Sequence, residues 1–175
     1  MAHYGLRETH REELTVTDKA AFSQQEWTRL KRGPFVAGMA ISLADPGGPI
    51  ELAKETAATL RTVLDAGDRG ELVGAVAAEA QADAKAHHNP LKDFKPRGAL
   101  AANEILEELK AVNAIVSEKA TPEEAQAYRT WLNDAASEAA QAAKEGGFFG
   151  FHAVRVSDGE QRMLDQLDAA LAPPA

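Results

Sequence analysis

Ala102-Asn103-Glu104-Ile105-Leu106-Glu107-Glu108-Leu109-Lys110-Ala111-Val112-Asn113-Ala114-Ile115-Val116 is the stretch whose reading decides the fold. Ala102, Ile105, Leu106, Leu109, Val112 and Val116 recur at three- and four-residue spacing, which gathers the apolar side chains on one side of a helix. The helix predicted from them spans Ala99 to Glu118. The segment that follows repeats the pattern. Ala125, Tyr128, Leu132, Ala135, Ala136, Ala139 and Ala142 share one side of a helix predicted over Pro122 to Lys144. Side chains that small let helix axes approach closely.

Working outward, the same grammar recurs. Ser23-Gln24-Gln25-Glu26 fits a capping box, with Phe22 and Trp27 at the two positions of a hydrophobic staple. Thr121-Pro122-Glu123-Glu124 fits again, with Pro at the first helical position. Asp68-Arg69-Gly70-Glu71 and Ser157-Asp158-Gly159-Glu160 are weaker versions, each with a Gly in the first turn. The predicted helices cover about 18–32, 34–44, 49–66, 69–88, 99–118, 122–144 and 158–171. Gly33-Pro34 is expected to break or kink the first of them. The run Phe35 to Leu43 is apolar all round and belongs at the centre. The fold class is therefore all-α, a single-domain bundle of about six helices. Residues 1–16 read as a polar N-terminal arm and a candidate for disorder, and 17–172 as the bundle domain.

Composition narrows the chemistry. The chain has no cysteine, so disulfides, thiolate metal ligands and a Cys nucleophile are excluded. The net charge of −8 opposes general binding to nucleic acid or anionic lipid. Neither a nucleic-acid nor a membrane partner is expected. The N-terminus has no apolar signal core, and Pro34–Ala44 is too short to span a bilayer, so a cytoplasmic location is expected.

Three constellations can be weighed. Glu79, Asp83 and His87 lie four residues apart, a stripe of oxygen and nitrogen donors on one predicted helix. Charged residues flanking an apolar helix face are ordinary, and no Glu-x-x-His pair completes a carboxylate-bridged metal bundle, so no metal site is assigned. The loop from His87 to Gly98 concentrates base before a helix start, with a single aromatic, and reads as a solvated loop. Asn113 interrupts an apolar face and reads as a register-fixing buried hydrogen bond or a ligand contact. No nucleophile elbow or triad signature surrounds the Ser, His and Asp residues, and no cofactor is implied.

Glu145-Gly146-Gly147-Phe148-Phe149-Gly150-Phe151-His152 is the one stretch that helix formation does not explain. Gly146-Gly147 follow a helix instead of preceding one, and no Gly-Lys-Ser or Gly-Lys-Thr comes after, so this is no phosphate loop. The rings either close one end of the bundle or line a recognition surface. Phe148, Phe149, Phe151 and His152 are the candidate binding residues.

Two resemblances add to this reading. Phe22 to Gly48, together with Ala142 to Phe151 and Arg155 to Glu160, resembles small uncharacterised bacterial all-helical proteins with a C-terminal Gly-Gly-Phe-x-Gly element. Ser157-Asp158-Gly159-Glu160 is similar to the Ser-x-x-Glu helix start of TerB-like helical domains of tellurite resistance. Those domains place acidic residues in the turn before it, where this chain has His152-Ala153-Val154-Arg155. Neither resemblance implies a catalytic activity. The function expected is non-catalytic, through a protein partner or self-association. The alternative is a small-ligand or metal-binding bundle with its pocket near the Gly/Phe segment.

The Gly/Phe segment yields the first test. Phe148→Ala or Phe149→Ala is expected to lower stability by about 3–5 kcal/mol for at least one ring, the cost of truncating a buried aromatic. Unchanged melting in both, with weakened association, would instead make the segment a recognition surface.

Overall fold

The computed structural model describes residues 19–46, 48–66, 68–144 and 156–174. Among them are six helices and no strand: α1 (Gln24–Ala44), α2 (Pro49–Leu64), α3 (Glu71–Lys85), α4 (Ala101–Lys119), α5 (Pro122–Lys144) and α6 (Asp158–Ala170). Single 3-10 turns occupy Lys19–Ala21 and Gly98–Leu100. The all-α bundle expected from periodicity is what forms. The polar arm over 1–16 and the Gly/Phe segment lie outside the described residues.

α1 and α5 are the axial pair. α5 packs against α1, α2, α3, α4 and α6, and α1 touches the same set of neighbours. Leu30, Val36, Ala37, Ala40 and Ile41 of α1 are fully buried, as are Tyr128, Trp131, Leu132, Ala135, Ala136 and Ala139 of α5. Most of the Phe35–Leu43 run is thus central, but Leu43 at its end is 40% exposed and Phe35 and Met39 are only partly buried.

Pro34 does not break α1, which continues without interruption from Gln24 to Ala44. Proline has no N–H, so the carbonyl of Leu30, four residues earlier, loses its helical donor. The buried Tyr128 hydroxyl of α5 donates to that carbonyl at 2.6 Å. Gly33 leaves room for it, since a Cβ there would come within 2.5 Å of the hydroxyl oxygen. Burial, and then the nearby Glu108 carboxylate, push the Tyr128 phenol well above its ordinary value, so it is a permanent donor.

Other helix ends are closed in the same way. The last four carbonyls of a helix have no internal partner. At the end of α2, Trp131 Nε1 donates to Thr62 O at 3.1 Å and Gln81 Nε2 to Leu64 O at 3.1 Å. At the end of α6, Asn113 Nδ2 donates to Ala170 O at 3.1 Å and Ala172 O at 2.8 Å. Asn113 Oδ1 accepts from the buried Arg129 at 2.7 Å, and Arg129 also donates to Ser117 Oγ at 2.6 Å. Asn113 is therefore a register-fixing residue, with several bonds where one was anticipated.

Helix starts follow their caps, with exceptions. Ser23 and Ser157 both form complete capping boxes with Glu26 and Glu160, the second in spite of its Gly. Phe22 stacks on Trp27 at 5.6 Å, as the staple requires. Thr121 Oγ1 accepts from Glu124 N at 3.3 Å. Asp68 does not cap α3; Gly70 does so through its backbone at φ 96°, and α3 begins at Glu71 instead of Arg69. α4 begins at Ala101, after a 3-10 turn opened by Gly98 at φ 66°.

The Tyr128 contact yields a double-mutant test. Tyr128→Phe is expected to cost about 1–3 kcal/mol, because the Leu30 carbonyl is left buried and unpaired. Pro34→Ala restores a backbone N–H to that carbonyl. In a thermal-unfolding cycle the two substitutions should therefore compensate, with the double variant less destabilised than the sum. Simple additivity would dissociate Tyr128 from the proline.

Candidate functional site

Among the described residues, those singled out for chemistry do not converge on one site. Phe148, Phe149, Phe151 and His152 lie outside the described residues. Of the acidic stripe, Glu79 accepts from Trp27 Nε1 at 2.9 Å and pairs with Lys19, while Asp83 pairs with Lys31 at 2.6 Å. Both carboxyls sit below their ordinary values. Burial opposes the shift at Glu79 but is outweighed by its hydrogen bonds and cations; at Asp83 the Lys31 hydrogen bond is the main cause. His87 leaves the helix altogether. α3 ends at Lys85, and His87 takes the left-handed φ of 58° in a Schellman turn, with His88 N bonded to Asp83 O and His87 N to Ala84 O. The four-residue spacing to Asp83 is thereby broken. Among the described residues no group of three His, Asp or Glu converges on a metal position. In the basic loop, Phe94 packs under the Arg32 guanidinium, 5.1 Å away. Arg32 is in turn held by the buried Glu108, at 2.7 Å.

A different position stands out. Glu55 of α2 is almost wholly buried, at 2% exposure. It lines a cavity of about 150 Å³ between α1 and α2. Phe35 and Met39 form the α1 wall, Leu52 and Thr56 the α2 side, and Leu91 of the loop after α3 lines it as well. The two helices meet closely at its floor: a Cβ on Gly38 would fall 2.1 Å from Thr59 Oγ1. The Thr59 and Thr56 hydroxyls are turned back onto Glu55 O and Leu52 O of their own helix, at 3.0 and 2.8 Å. The side-chain polarity left to the cavity is thus the Glu55 carboxyl with the Ser42 hydroxyl that donates to it.

The electrostatics match this geometry. Burial raises the Glu55 carboxyl above its ordinary value, and the Ser42 hydrogen bond opposes that. Glu160, Asp45 and Glu51 push it further up by like-charge repulsion. Among the described residues, the site is an apolar, ring-sized cleft with one carboxyl and no cation on its wall. Such an arrangement can bind and orient; it offers no nucleophile–base pair for covalent chemistry.

Two wider, shallower depressions are more polar or more open. One, about 470 Å³, is lined by Arg61, Asp65, Arg69, Asp134 and Glu138, where Arg69 and Asp134 pair with each other. The other, about 440 Å³, lies over Lys110, Asn113 and Ser117 beside the chain end. Among the described residues no helix is long and apolar enough to cross a membrane.

Compared with known protein families, curated proteins and solved structures, the chain matches none. Sequence reasoning passed over Glu55. The signal was present: Glu55 shares a helix face with Ala58, Thr59 and Thr62, a charged residue in a stripe otherwise small or apolar.

A pH titration tests the site's charge. Glu55 binds its proton more tightly folded than unfolded, so its contribution to stability falls as pH rises from the ordinary carboxylate range through the raised folded value. Glu55→Gln is expected to remove that fall. Relative to the variant, the parent protein should lose melting temperature across that window and be less favoured at neutral pH. A parent–variant difference that is flat with pH would contradict the buried carboxylate.

Proposed function

We propose that this protein is a non-catalytic helical module that works by self-association, and that α2 is the associating element. The observation that carries this is an exposed apolar stripe on α2, opposite its buried face. Ile50 is 68% exposed and Leu64 47%. Ala53 and Ala57 between them are exposed, and Leu60 is half-buried. These five residues follow the three–four spacing of a coiled-coil seam.

The stripe is self-complementary. Ala57 is its centre, and Ile50 and Leu64 lie seven residues to either side. Two copies packed antiparallel would set Ile50 of each against Leu64 of the other, with alanines between them permitting a close approach. A patch that matches itself under a two-fold rotation is what an isologous dimer requires. Lys54 and Arg61 follow one edge of the stripe, where antiparallel packing sets Lys54 of one copy near Arg61 of the other. Each copy also carries a net charge of −8. Both repulsions are screened by salt, so association should tighten as ionic strength rises. The likeness of the chain to small bacterial helical proteins is compatible with this reading and brings no activity to it.

Sedimentation equilibrium on the full chain tests it. A concentration-dependent dimer that tightens with salt is expected, and Ala57→Lys should weaken it about tenfold or more without lowering the monomer's melting temperature. A monomer at every concentration, or a dimer indifferent to Ala57→Lys, overturns the proposal.

A further inference from the structure

The cavity between α1 and α2 has a volume, a wall chemistry and a charge that together specify a ligand, independently of whether the protein self-associates. Its volume of about 150 Å³ is the size at which an apolar cavity accepts one benzene-sized molecule. Phe35, Met39, Leu52 and Leu91 give it an apolar lining. Met39 adds an adaptable thioether that suits an aromatic or branched guest.

The carboxyl in this lining distinguishes the cavity from a packing defect. Glu55 is 2% exposed and accepts a hydrogen bond from Ser42. Glu160, Asp45 and Glu51 face it as like charges. Elsewhere in the bundle the buried Glu108 carboxylate is answered by Arg29 and Arg32. A carboxylate taken out of water is stabilised by a cation with hydrogen-bond donors. Among the described residues around the cavity, Ser42 supplies Glu55 with a hydrogen bond and none supplies a cation.

We infer that this cavity is a binding site for a small organic ammonium, one compact apolar or aromatic group carrying a primary amine. The apolar group fills the space between Phe35, Met39, Leu52 and Leu91, and the ammonium sits on Glu55 beside the Ser42 hydroxyl. Leu52, 52% exposed, marks the open side of the cavity and the route of entry.

The probe is benzylammonium, and the reporter is the ε-methyl resonance of Met39 in the full-length chain. The chain has only three methionines, and Met163 lies in the core on α6, so one methyl reports on the cavity and another serves as an internal control. Benzylammonium is expected to shift Met39 saturably and leave Met163 unmoved. Glu55→Gln should weaken binding about tenfold or more, the worth of a charge-assisted hydrogen bond. Benzyl alcohol, of the same shape but neutral, should bind the parent more weakly and discriminate little between parent and variant. If Glu55→Gln does not fold, Ser42→Ala takes its place, with a smaller loss confined to the ammonium. An unmoved Met39 overturns the inference. So does equal binding of alcohol and ammonium, or ammonium binding that neither substitution weakens.

Discussion

The Tyr128 hydroxyl on the Leu30 carbonyl is the contact on which the arrangement of this bundle depends. α1 is the only described helix with an internal proline. Pro34 deprives the fully buried Leu30 of a donor. An unpaired carbonyl there would cost about 1–3 kcal/mol, enough to favour a kink or a break. Tyr128 supplies the donor from α5 and fixes α5 against α1 at one height. Glycine at position 33 makes room for the ring. Gly33 and Pro34 of α1, with Tyr128 of α5 remote in sequence but adjacent in space, thus turn a helix breaker into a docking point.

The same logic explains why an alanine-rich core has a defined register. Alanine faces are smooth, and one helix can slide along another at little cost in buried area. What resists sliding is directional bonding. Trp131 and Gln81 close the end of α2, and Asn113 closes the end of α6. With Tyr128, each uses a long polar side chain of one helix to satisfy a stranded carbonyl of another. Displacement by a single turn would strand several carbonyls at once. The ion pair of Glu26 with Lys119 works alongside them. It ties the start of α1 to the end of α4 and, with the Ser23 backbone bond, holds the Glu26 carboxyl down at about 2.

Much of the fold was legible because it is written in local terms. Periodicity located the helices, and Ser23, Pro122 and Ser157 marked starts that the structure keeps. Where reading failed, a non-local partner or a special backbone angle decided the outcome. Pro34 was read as a break or a kink, and the break is avoided because its remedy lies 94 residues away on Tyr128. The fourth helix was read to His88 because Ala-rich sequence gives no warning of a left-handed histidine at 87. Asn113 could be recognised as a register residue from its place in an apolar face. Its partners, two carbonyls at the far end of the chain, could not.

Glu55 was harder to read because its meaning is relational. On the helical wheel it is one acidic residue among threonines and alanines, no different from Glu51 a turn earlier. Burial beneath α1 is what separates the two. Every other strongly buried polar side chain with a described partner serves structure. Asn113 closes a helix end, Glu160 completes a capping box, Arg129 orients Asn113, and Glu108 gathers the arginines of α1. Among the described residues Glu55 closes no helix end and gathers no cation; its described side-chain bond is from Ser42, which a glutamine could accept as well. A bundle that satisfies its buried polar groups so consistently elsewhere has little structural use for a carboxylate at this position, beside a cavity walled by Phe35, Met39 and Leu91. The feature that would make the charge useful is a cation arriving from outside, and that is the physical reason to place a ligand there and not at the acidic stripe of α3, whose carboxylates already have their lysines.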